Sequence, residues 1–126
     1  MAVHPTAAEL TRQARAAGYT VVRVEQMRTN RWVLTLTDAQ GAACLMLAQQ
    51  RPLISAADVQ DLAELLSLQR CPNGMLLAVG GTFSPEARRT AAELRRQTIQ
   101  LCTDLPPTGE QALLQGRPAK LDTVTR

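Results

Sequence analysis

The chain is 126 residues long, 45% hydrophobic and 2% aromatic, figures that fit one compact domain and exclude a disordered chain or a multidomain enzyme. A domain of this size hides roughly two-thirds of its unfolded surface, so it can fold without disulfides or metal. Fourteen basic against eleven acidic residues leave a net charge of +3, which permits nucleic-acid contact without demanding it.

Thirteen of the fourteen cations are arginine, and Lys120 is the single lysine. The aromatic stock is Tyr19, Trp32 and Phe83, so the core must be aliphatic. No apolar run approaches the roughly 18 residues that span a bilayer, and the opening MAVHPTAAEL lacks the charged-then-apolar order of a signal peptide. The chain is therefore read as cytoplasmic, with no membrane role. Cys44, Cys71 and Cys102 are odd in number and widely spaced, with His4 the lone histidine. Neither a disulfide framework nor a zinc site follows, and buried reduced thiols are the expectation.

In chain order, Thr6 with Glu9 three residues on predicts a capped helix over about Ala7 to Ala17, stopped by Gly18. Tyr19 to Glu25 is rich in β-branched residues and reads as a strand, followed by a polar break, QMRTNR. Trp32 to Thr37 and Ala43 to Ala48, joined by DAQG, predict a hairpin whose second strand is apolar on both faces and so central. Ser55 and Asp58 open a second helix, ended by Cys71-Pro72-Asn73-Gly74. Met75 to Gly81 reads as another central strand. Ser84 caps a third helix, with Pro85 at its first position, running to about Gln97. Thr98 to Cys102 is the last strand, and Pro106-Pro107-Thr108-Gly109 closes the domain. One helical turn at Ala112 to Leu114 is expected in the polar tail. The pattern is α/β: a mixed sheet flanked by helices on both faces. Residues 1–105 form the domain and 106–126 a C-terminal extension.

The segment Ile54 to Leu105, and within it GGTFSPEA (Gly80 to Ala87) followed by a helix and TIQLCTDL, resembles the second half of the Mrr-type restriction endonuclease domain of the PD-(D/E)xK nuclease superfamily. GYTVVRVE, Gly18 to Glu25, is similar to that family's first strand. The resemblance spans roughly Leu10 to Leu105 and implies a restriction-endonuclease-like fold, with a bacterial setting in defence or on a mobile element. The family's chemistry takes an Asp at the start of the second strand, then a Glu or Gln in the third strand with a Lys two residues later. The acids hold a divalent cation and the Lys helps position water. Laid on this chain, the Asp position falls at Trp32 or Val33, the Glu or Gln at Leu47 and the Lys at Gln49. A one-residue slip offers Ala48 and Gln50. No register supplies a carboxylate followed by Lys, because Lys120 lies outside the matched region. Arg51 carries a charge nearby, but a guanidinium is a different tool from an amine.

Two readings of Trp32 stay open: its ring plugs the cleft a metal would occupy, or it packs on a helix. The third helix offers Arg88, Arg89, Arg95 and Arg96 within an arc of about 120°, either a phosphate-contacting ridge or a solvated face balanced by Glu86 and Glu93. Gly80-Gly81 lacks the lysine and the spacing of a phosphate loop. The expectation is a catalytically inactive restriction-endonuclease-like domain with a degenerate active site at Trp32, Leu47, Gln49 and Gln50. It acts as a DNA-binding or protein-interaction module, with Arg51, Arg88, Arg89, Arg95 and Arg96 as candidate DNA contacts and no cofactor. The candidate partners are double-stranded DNA, another protein or a second copy of the chain. The rival is a divergent Mg²⁺-dependent DNA endonuclease using Glu25 or Asp38.

Overall fold

In a computed structural model, which describes residues 6–106 and 108, Thr6 caps the first helix as its sequence suggests. Its hydroxyl oxygen accepts from the Glu9 N–H at 3.0 Å, and α1 runs Ala7–Ala16. Gly18, at φ 101°, turns the chain into β1 (Thr20–Arg28). The antiparallel strands β2 (Arg31–Thr37) and β3 (Ala43–Gln50) follow. A short β4 (Leu53–Ile54) leads into α2 (Ala56–Leu68) and β5 (Asn73–Val79). The short β6 (Thr82–Phe83), α3 (Pro85–Glu93) and β7 (Thr98–Cys102) complete the described elements. The five-stranded sheet has the order β1-β2-β3-β5-β7, and its β3/β5 and β5/β7 pairs are parallel.

Strand alternation sorts the core into two layers. Trp32, Leu34 and Leu36 of β2, Met46 and Ala48 of β3, and Met75 and Leu77 of β5 pack with Leu10 and Ala14 of α1. Val33, Leu45, Leu47, Leu76, Ala78 and Ile99 point the other way, against Val59, Leu62 and Leu66 of α2 and Ala87 of α3. Helices therefore cover both faces, as the apolar character of β3 and β5 requires.

Three boundaries depart from the pattern of the sequence. First, β1 continues through the polar stretch to Arg28, because Gln26 and Arg28 pair with Trp32 and Arg31 across the two-residue turn Thr29–Asn30. An outer strand tolerates polar side chains because they face water. Second, α3 ends at Glu93 instead of Gln97. Leu94 is extended (φ −67°, ψ 138°) and packs against the α2 and α3 layer, while the Thr98 N–H donates to Pro72 O at 2.8 Å. Docking of β7 beside β5 overrides helical periodicity. Third, β4 and β6 form a small parallel pair. It depends on Gly81, where a Cβ would sit 1.9 Å from the Arg51 carbonyl oxygen. His4 and the turn expected at Ala112–Leu114 lie outside the described residues.

Candidate functional site

The β2/β3 pairing decides which family positions can act together. Trp32 lies opposite Ala48 and Val33 opposite Leu47, with Arg31 opposite Gln49. Trp32, Ala48 and Gln50 thus share the face covered by α1, whereas Val33, Leu47 and Gln49 share the face covered by α2. The set Trp32, Leu47 and Gln49 straddles the sheet and does not converge, which corrects that alignment. Two coherent registers remain, and neither carries a carboxylate or an amine. Trp32 is 2% exposed and sits in the α1 layer, so it packs on a helix. Its Nε1 has no hydrogen-bond partner among the described residues.

On the α2 face the end of the strand pair holds a charge network that sequence reasoning missed. Arg31 donates from Nε to Gln49 Oε1 at 2.6 Å, from Nη2 to Asp58 Oδ1 at 2.8 Å and from Nη1 to Asp61 Oδ2 at 3.1 Å. Arg51 Nη2 reaches the same Asp58 Oδ1 at 3.2 Å, and Ser55 gives its N–H and its hydroxyl to Oδ2 at 2.9 and 3.1 Å. Gln49 Nε2 donates in turn to Asn30 O at 3.3 Å. Gln49 and Asp58 are buried at 1% and 2% exposure. The S-x-x-D spacing flagged Asp58 as a helix-capping residue, which it is. The arginine that neutralises it sits in the stretch read as a polar break.

This arrangement does not fit a divalent cation. Asp58 is already engaged by four donors, and among the described residues no three His, Cys, Asp or Glu side chains group as metal ligands. Nor do the acids of the rival reading converge. Asp38 shapes the β2–β3 turn, its Oδ1 accepting from the Gln40 and Ala42 N–H groups at 2.9 Å each. Glu25 is exposed on β1 and pairs with Arg23 at 3.1 Å.

The candidate cations fall into separate groups. Arg51 follows β3, held by Asp58 with its side chain 41% exposed. Arg88 and Arg89 are exposed on α3, and the Arg88 guanidinium lies 5.7 Å from the centroid of the Phe83 ring. Arg95 and Arg96 are exposed in the bend after α3, so the four do not form one helical ridge. The reason is the extended Leu94, which breaks the periodicity that would have aligned them. A cleft of about 400 Å³ beside Arg88 is lined by Phe83, Thr103 and Asp104.

Cys71 is buried, as expected of a reduced core thiol, whereas Cys44 and Cys102 are only half-buried. Burial pushes Cys44 and Cys102 up to about 12, which keeps both protonated and poor as nucleophiles near neutrality. Among the described residues, no helix is long and apolar enough to cross a membrane.

No protein-family model matches the sequence, and no curated protein matches it. Among solved structures the chain is similar to EndoMS in its apo form, with a TM-score of 0.59 and 15% identity over 84% of this chain and 48% of that one. The chain thus spans about half the length of that structure. The likeness shows the fold alone: a mixed sheet flanked by helices, restriction-endonuclease-like in architecture.

Proposed function

We propose that this domain is a restriction-endonuclease-like module of Mrr type that binds double-stranded DNA without cleaving it. One observation carries the reading: both coherent registers of the β2/β3 pair are filled by apolar and amide side chains, with Asp58 beside them already saturated by arginine and Ser55. Hydrolysis of a phosphodiester by this fold needs acids to hold a cation and an amine near the attacking water. Those groups have no place to stand in either register. The fold supports DNA as the partner, and the exposed Arg88, Arg89, Arg95 and Arg96, with the partly exposed Arg51, supply sequence-independent phosphate contacts. The tether of Arg51 to Asp58 reduces the side-chain freedom lost when it meets a phosphate.

Purified protein incubated with plasmid and Mg²⁺ or Mn²⁺ is expected to leave the plasmid unnicked. Cleavage abolished by Glu25→Ala or Asp38→Ala would establish the rival nuclease. In a gel-retardation assay, duplex binding is expected to weaken steeply with salt, and each arginine replaced by Ala should lower the log–log salt slope by about one unit if it contacts a phosphate. Retardation that survives all five replacements unchanged rules out these contacts.

A further inference from the structure

The outer strand β1 is nine residues long and, among the described residues, pairs only with β2. Such an edge is a template for another strand. Two exposed hydrophobic side chains stand on it, Val22 at 63% and Met27 at 52%, and a third, Leu68 at 74%, faces Met27 across a groove of about 350 Å³. On the other face of the sheet a groove of about 330 Å³ lies between Val24 and α1. Apolar surface therefore opens toward this edge from both sides.

The charges on β1 select one occupant and one register. Register shifts at Val21/Arg23 and Gln26/Arg28 leave Arg23 to Gln26 as the regular stretch. Antiparallel self-pairing centred on Val24 sets Arg23 opposite the partner's Glu25 twice, whereas centring on Arg23 or on Glu25 sets like charges face to face. Opposite charges directly across a strand pair stabilise it and like charges oppose it. Arg23 and Glu25 lie across from Thr35 and Val33, so they share the face of α2, while Val24 lies across from Leu34 on the face of α1. We propose that β1 pairs with β1 of a second copy about a two-fold axis at Val24, joining two five-stranded sheets into one. Two Val24 side chains meet beside the α1 grooves, and a square of two arginines and two glutamates closes the opposite face. This pairing of β1 strands is independent of DNA binding.

Sedimentation equilibrium of the full chain tests it. The parent is expected to form a concentration-dependent dimer. Arg23→Glu alone or Glu25→Arg alone is expected to weaken the dimer at least about tenfold, by facing like charges. An equimolar mixture of these two variants should associate again, and the double variant R23E/E25R should form a homodimer. Both side chains are exposed, and re-association on mixing shows that each variant is folded. A parent that stays monomeric leaves the edge to some other chain and overturns the proposal. So do single variants that dimerise like the parent, or a mixture that stays monomeric.

Discussion

Asp58 shows what a single buried charge demands of its neighbours. At 2% exposure its carboxylate is cut off from water, and the donors of Arg31, Arg51 and Ser55 replace that hydration. Losing one partner of a buried pair leaves the other charge uncompensated, which costs about 3–5 kcal/mol. Arg31→Ala is therefore expected to lower the urea-unfolding free energy by roughly that amount, reduced by whatever Arg51 retains. Adding Asp58→Asn should recover part of the loss, because the amide is neutral. A cost below about 1 kcal/mol for Arg31→Ala would mean that the network is dispensable. The exposed pair of Glu9 and Arg12 is a contrast in kind. The Arg12 hydrogen bond holds the Glu9 carboxyl below its usual range, yet both groups stand in water, where such a pair contributes little.

At the scale of elements, the end of α2 stores strain that one substitution should release. The Cys71 N–H donates to Leu66 O at 2.9 Å and the Arg70 N–H to Ser67 O at 3.2 Å, the paired bonds of a Schellman cap. That cap places Arg70 at φ 54°, in the left-handed region where a Cβ is unfavourable. Arg70→Gly should raise stability by up to about 1 kcal/mol, the relief of strain exceeding the added freedom of the unfolded chain. Equal or lower urea midpoints in the variant would show that the arginine compensates by other means.

The same elements show how much the sequence discloses. The capping residues Thr6, Ser55 and Ser84, the hairpin around Asp38 and the central character of β3 and β5 are local or periodic signals, and each was legible. The end of α3 was not, because AELRRQ is helical by periodicity and only the docking of β7 against β5 stops it. The charge network was hidden for a similar reason. Arg31 and Asp58 are 27 residues apart and meet only once strand alternation and the crossover to α2 have set their faces. GGTFSPEA disclosed the Gly80–Ala87 junction but not the β4/β6 pair, which requires a second strand from Leu53–Ile54.

At the scale of the whole molecule, the layer between α1 and the sheet ties folding to protonation. Tyr19, Cys44 and Cys102 all border that layer, and the Tyr19 hydroxyl donates to Pro106 O at 2.9 Å, fastening the end of the domain to the start of β1. Burial raises Tyr19 above its ordinary range and pushes both thiols from 9.0 to about 12. The folded state therefore holds these protons more tightly than the unfolded chain, so the contribution of these three groups to stability is level below about pH 9 and falls as pH rises toward about 12. Each thiol adds a slope of at most about 1.4 kcal/mol per pH unit in that window. Urea midpoints measured at about pH 8 and about pH 10.5 should differ accordingly. Replacing Cys44 and Cys102 with Ala should flatten the decline without removing the share that belongs to Tyr19. A midpoint that does not move between those two pH values would show that the thiols are open to water, and that the α1 layer is looser than its packing implies.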